Sequence, residues 1–318
     1  AHRVNGLLGT LEYAYHLTAK NSKITSELIE RVEQQNEVKK DVKTSSPSEE
    51  VRLAFEKVTR LSNAIETGSF ELMYQPQYES SSREITGAEA LVRWRDENRE
   101  WVMPQEFLPL VEKSGMMNTL GKWVLLKACY AAKNWQKRGF KAIPVAVNLN
   151  PAQFYDPQLV IHLTEALSAA KLEPKYLELE IQEATIAEHF DWALEICTNL
   201  SMMGVRFTID DFGAGMLSLR QVTRLPVSKL KLDPGFLIQT AASRNVYEVI
   251  DGLVGLGEAF AMEVVVKGIE TAEQAAELSG RKKHDLQGFF LGKPMEVVEL
   301  EAALPREDNI RHIGLRRG

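Results

Sequence analysis

The stretch Tyr176-Leu177-Glu178-Leu179-Glu180-Ile181, the helix-period segment His189–Met203, and then Arg206-Phe207-Thr208-Ile209 with the pair Asp210-Asp211 decide the fold. They form one unit, a short β-rich apolar run joined to the next by a longer segment of helical period. Working outward, the same alternation begins after Val51 and yields further runs at Glu71–Tyr78, Ile85–Trp94, Ala142–Leu149, Lys229–Leu232, Glu263–Val266 and Leu286–Leu291. Helical candidates lie between several of them, at Met117–Arg138, Gln158–Ala170 and Val246–Phe260. Runs alternating with helices predict an α/β fold of βαβ units, and eight such runs predict a (β/α)8-type, TIM-like barrel. A doubly wound open sheet is the competing architecture. Its dinucleotide-binding form needs a Gly-rich turn after the first strand, and this chain has Gln75-Pro76-Gln77 there.

Ahead of the barrel, Leu7, Leu8, Leu11, Tyr15, Ile24, Leu28, Ile29 and Val32 recur at helical spacing among charges. Residues 1–45 are therefore expected to be a helical N-terminal segment, a remnant of an upstream domain or signalling helix. Asp41 to Glu50 carries no apolar period and reads as the linker, so the barrel is expected over 46–305 and a C-terminal tail over 306–318. With 44% hydrophobic and 26% charged residues among 318, the chain is neither disordered nor a fibrous rod. Thirty-eight basic against 44 acidic side chains leave a charge of −6, which draws it to neither nucleic acid polymers nor anionic membranes. No stretch approaches the roughly 18 apolar residues of a membrane span, and Ala1-His2-Arg3 opens no signal peptide. The two cysteines, Cys129 and Cys197, sit in apolar stretches as buried reduced thiols, which places the protein, or this part of a longer one, in the cytoplasm.

In barrels of this kind the chemistry lies at the carboxyl ends of the strands. There the runs supply Glu89, Asn148, Glu180, Glu183, Asp210, Asp211, Lys231, Asp233, Lys267, Glu270 and Gln287. So many carboxylates on one rim repel one another unless cations neutralise them, and an all-oxygen set suits Mg²⁺ or Mn²⁺. The adjacent Asp210-Asp211 can both face the rim as their strand ends, which lets one pair serve two ions.

Glu89-Ala90-Leu91, followed by Val92-Arg93-Trp94, resembles the motif that names the EAL family of cyclic-di-GMP phosphodiesterases. The likeness continues in order through Tyr74-Gln75-Pro76, Val147-Asn148-Leu149, Leu179-Glu180-Ile181-Gln182-Glu183, Asp210 to Gly215, Leu230-Lys231-Leu232-Asp233, Lys267 to Thr271 and Gln287-Gly288-Phe289. It implies an EAL barrel with its first strand antiparallel, two Mg²⁺ or Mn²⁺ ions, and hydrolysis of cyclic-di-GMP to pGpG. By the same resemblance Glu89, Asn148, Glu180, Asp210 and Asp211 are metal ligands. Lys231, Glu183 and Glu270 are catalytic-site residues, Lys231 holding the attacking water and Glu183 ordering the loop after Asp210-Asp211. Gln75, Leu91, Arg93, Asp233 and Gln287 contact the nucleotide. A homodimer is also implied, with an upstream sensor domain or protein partner.

One departure changes the expectation. Lys267 stands where active members carry a glutamate that completes the metal and water site. At an effective dielectric near 20, unit charges about 4 Å apart interact by roughly 4 kcal/mol, so an ammonium there weakens a second metal or stands in for it as a surrogate cation. The expected protein binds cyclic-di-GMP with hydrolysis lost or strongly impaired. An active metal-dependent phosphodiesterase is the alternative, and a protein-interaction regulator without nucleotide binding is the third reading.

Overall fold

The computed structural model describes residue 64 and residues 68–96, 98–238 and 246–307. The expected helical segment 1–45, the linker and most of the tail lie outside the described residues. Arg306 and Glu307, at the start of that tail, pair with the chain near Phe140, where the Glu307 N–H donates to Gly139 O at 3.0 Å.

Among the described residues nine strands form: β1 (Phe70–Glu79), β2 (Ile85–Arg95), β3 (Trp101–Val102), β4 (Val145–Asn148), β5 (Leu177–Gln182), β6 (Arg206–Phe212), β7 (Lys229–Leu232), β8 (Glu263–Lys267) and β9 (Asp285–Gln287). Eight of them close a barrel in the order β1-β2-β4-β5-β6-β7-β8-β9, and β3 is a two-residue flap paired to β2. β1 runs antiparallel to both its neighbours, β2 and β9, and the remaining barrel pairings are parallel. Two of the expected runs are trimmed. The third begins at Val145, because Pro144 has no N–H to give a ladder. The eighth ends at Gln287 rather than Leu291, because Gly288 lies so close to the Ile269 backbone that a Cβ there would collide with it.

Alternation along the strands sorts the side chains. Val145, Val147, Leu177, Leu179, Phe207, Ile209, Leu230, Leu232, Val264 and Val266 are buried beneath the helical layer, which includes Met117–Lys137, Leu159–Ala170, Phe190–Met202 and Val246–Ala259. Tyr74 of β1 points the same way and meets Trp135 of the first of these helices edge-on, with ring centroids 5.3 Å apart. The intervening residues face the barrel interior, and most of them are polar. Cys129 and Cys197 are buried and unpaired, burial pushing both thiols up to about 12. Among the described residues no helix is long and apolar enough to cross a membrane.

Candidate functional site

The interior polar residues form two layers. In the upper layer, at the carboxyl ends of the parallel strands, Lys231 of β7 is fully buried and its Nζ donates to Glu89 Oε2 at 2.7 Å and to both Glu180 oxygens at 2.8 Å. Asn148 Nδ2 donates to Glu89 Oε1 at 2.7 Å. Gln287 Nε2 donates to Glu89 Oε2 at 2.7 Å and to Gln75 Oε1 at 3.0 Å, while Gln75 Nε2 donates to Gly292 O at 3.0 Å. These contacts follow from register: Gln75 lies opposite Glu89 on β1 and β2, Asn148 beside Glu180, and Lys267 beside Gln287.

Lys267 ends β8, and its Nζ donates to Asp210 Oδ1 at 2.6 Å and Asp211 Oδ1 at 2.5 Å. Both aspartates reach one ammonium because Asp211 adopts a left-handed backbone, φ 53°, where β6 loses register with β7 after Ile209. Such a conformation is strained for a residue with a Cβ and persists where its surroundings enforce it.

The charges act on one another. Burial pushes the Glu89 carboxyl up, but Lys231 and the Gln287 and Asn148 hydrogen bonds outweigh it and hold it at about 2. Glu180 goes the other way, raised well above the usual carboxylate range by burial and by the Glu89 charge, with Lys231 only partly offsetting them. Burial lowers the Lys231 and Lys267 ammoniums, yet their carboxylate neighbours raise both above the ordinary lysine value.

The donors are hard oxygens, the type that Mg²⁺ and Mn²⁺ take. Among the described residues, however, no three acidic, histidine or cysteine side chains are grouped so as to hold an ion, because ammoniums sit between them. Glu89, Asn148 and Glu180, with the Asp210 oxygen that Lys267 does not take, are oxygen-bearing groups of the kind one such ion binds. Between Asp210 and Asp211 the Lys267 ammonium already takes one oxygen of each, and a second ion does not fit there.

The other expected residues divide. Arg93 is buried on the same face of β2 as Glu89, with Leu91 half-buried between them. Glu183, 2% exposed, takes four backbone N–H groups of the loop after β6: Gly213 at 2.9 Å and Ala214 at 3.1 Å on one oxygen, Met216 at 2.8 Å and Leu217 at 2.6 Å on the other. Asp233 accepts from Gly235 N at 2.5 Å, at the start of the short helix Gly235–Ile238. Glu270 is not brought to the cluster: it is exposed on the loop after β8, its N–H donating to Gln274.

Sequence reading missed the lower layer. Lys229, 1% exposed, lies two residues before Lys231 and contacts Glu178 Oε1 at 3.1 Å and Gln77 Oε1 at 3.2 Å, and Thr208 donates to the same Glu178 oxygen at 2.8 Å. Charged residues alternating with leucines in Leu177-Glu178-Leu179-Glu180 and Lys229-Leu230-Lys231-Leu232 were the available signal.

Fold and mouth together define a (β/α)8-type barrel protein whose chemistry sits at the carboxyl ends of its strands. Within that class the chain belongs to the EAL domain family, whose pattern matches residues 58–294. It is 38% identical over 244 residues to MucR of Pseudomonas aeruginosa, a bifunctional diguanylate cyclase/cyclic di-GMP phosphodiesterase, covering 77% of this chain and 36% of that protein. It is 30% identical to the cyclic di-GMP phosphodiesterase PdeR of Escherichia coli, over 76% of this chain and 36% of PdeR. The chain thus spans about a third of the length of these curated relatives. The solved MucR phosphodiesterase in complex with c-di-GMP is similar at 37% identity and TM-score 0.73, over 77% of this chain and 99% of that one. The FimX EAL domain of Pseudomonas aeruginosa bound to c-di-GMP is similar at 25% identity and TM-score 0.69, over 76% of this chain and 96% of that one.

Proposed function

We propose that this chain binds cyclic-di-GMP at the barrel mouth and hydrolyses it to pGpG poorly or not at all, acting as a receptor in cyclic-di-GMP signalling in the cytoplasm. The observation that carries the reading is Lys267, whose ammonium lies on both Asp210 and Asp211. A pair already spanned by a cation is a poor seat for a second one, and phosphodiester hydrolysis by paired ions needs both. Binding draws its support from Arg93, a planar guanidinium suited to phosphate oxygens, from Leu91 beside it and from the Gln75–Gln287 amide pair. Two relatives of the same fold are solved with this nucleotide.

Glu89, Asn148, Glu180 and Asp210 would hold one Mg²⁺ or Mn²⁺, which when bound supplies a more acidic water and stabilises charge on phosphoryl oxygens. Lys231 keeps the Glu89 and Glu180 carboxylates facing each other, and Glu183 shapes the loop that leads away from Asp211. The barrel over 46–305 is the unit that binds, and the preceding segment links it to an upstream sensor domain or protein partner.

Turnover of cyclic-di-GMP by the chain and by Lys267→Glu, in the same Mg²⁺ or Mn²⁺, tests this. The variant is expected to be faster by about a hundredfold or more. Equal rates would remove the receptor reading in favour of an active phosphodiesterase, a reading that the intact Lys231–Glu89–Glu180 group favours. Absence of binding would leave the protein-interaction reading.

A further inference from the structure

We infer that Lys267 is itself a ligand-contact residue, a tethered cation that lets the mouth bind a cyclic dinucleotide without any divalent ion. The inference rests on the receptor reading above and specifies how that site meets the charge of its ligand.

The donor count separates the two mouth lysines. An ammonium has three N–H donors. Those of Lys231 are all directed at carboxylate oxygens, one at Glu89 and two at Glu180, and its side chain is 1% exposed. It is sealed beneath the mouth. Lys267 has two acceptors, Asp210 Oδ1 and Asp211 Oδ1, and its side chain is 17% exposed. Its third donor is directed to neither aspartate, and Lys267 is the last residue of β8, in register with Gln287.

A phosphodiester carries one negative charge on two non-bridging oxygens. To sit beside Asp210 and Asp211 it needs a cation that touches carboxylate and phosphate together, the task a bridging metal performs. Lys267 already grips the carboxylates and has one donor left for the phosphate, so it performs the same bridging with an ion the chain carries in itself. Arg93 supplies a second cationic contact across the mouth. A divalent ion added at Asp210–Asp211 would have to displace an ammonium from the oxygens it binds. The left-handed Asp211 backbone, φ 53°, directs both carboxylates to that one ammonium.

Calorimetric titration of the chain with cyclic-di-GMP, in EDTA and in Mg²⁺ or Mn²⁺, reads this directly, beside Lys267→Gln and Lys267→Glu. The unaltered chain is expected to change affinity by less than about threefold between EDTA and metal. Lys267→Gln, which keeps the length and loses the charge, should weaken binding about tenfold or more in EDTA. Lys267→Glu should bind poorly in EDTA and recover in Mg²⁺. Binding by the unaltered chain that disappears in EDTA overturns the inference and leaves the receptor reading standing, as does a Lys267→Gln chain that binds as tightly as the original. Absence of binding by the unaltered chain in every condition overturns both.

Discussion

Burial strips a guanidinium of water, and Arg93, 8% exposed, recovers among the described residues one hydrogen bond, to the Val92 carbonyl at 2.9 Å. Among the described residues no carboxylate lies within ion-pair distance of it. Burial accordingly lowers its pKa, with the Glu89 charge opposing. An unpaired cation held at the mouth is costly unless an anion completes it, and a phosphate does so with charge-assisted hydrogen bonds worth about 1.5–3 kcal/mol. Arg93→Ala should therefore weaken cyclic-di-GMP binding roughly tenfold to a hundredfold while leaving the thermal midpoint within a few degrees of the original. Calorimetry decides it, and unchanged affinity removes Arg93 from the site. At this scale the residue types were readable in the chain: Glu89, Asn148, Glu180 and Lys231 form one hydrogen-bonded group, and Asp210 pairs with Lys267. Their pairings were not, because which oxygen faces which ammonium depends on register between strands far apart in sequence. Glu270 shows the limit: adjacent in sequence to a motif, it is outside the cluster in space.

Among the elements, the loop after β6 is built around a single acid. Glu183 accepts four backbone N–H groups from Gly213, Ala214, Met216 and Leu217, and the turn passes through Gly213 and Gly215 at φ 107° and 85°. A Cβ on Gly213 would strike the Phe236 ring. Glu183→Gln keeps the shape and removes one of the two accepting atoms, leaving two of these N–H groups facing an amide NH2 in place of an acceptor. Amide hydrogen exchange at Gly213–Leu217 should accelerate by about tenfold or more, while β5 and β6 exchange as before. Uniform acceleration over the whole barrel would instead mean that Glu183 supports the fold rather than the loop. Strand and helix positions were legible because apolar runs and helical period carry them. The ends were less so, and the close approach of Gly288 to Ile269 that stops β9 is a tertiary event no local pattern records.

Taken whole, the molecule exposes apolar side chains beside that loop: Met216 is 57% and Leu219 53% exposed. We expect two copies to pair through this face, since desolvating such side chains favours contact. Sedimentation of the chain and of Met216→Glu should show a concentration-dependent dimer that the substitution shifts toward monomer. A monomer throughout, with and without cyclic-di-GMP, counts against the pairing. The closed barrel with its antiparallel first strand was legible from eight runs and the family motif, whereas the layering of its interior was not.

That layering separates two kinds of selection. The apolar side chains that hold the molecule together face outward, beneath the helices, and the inward residues are largely polar and meet one another. An exchange of acid for base at a mouth position such as Lys267 therefore leaves the apolar layer beneath the helices untouched. The residues that face a ligand and the residues that hold the fold can thus vary separately.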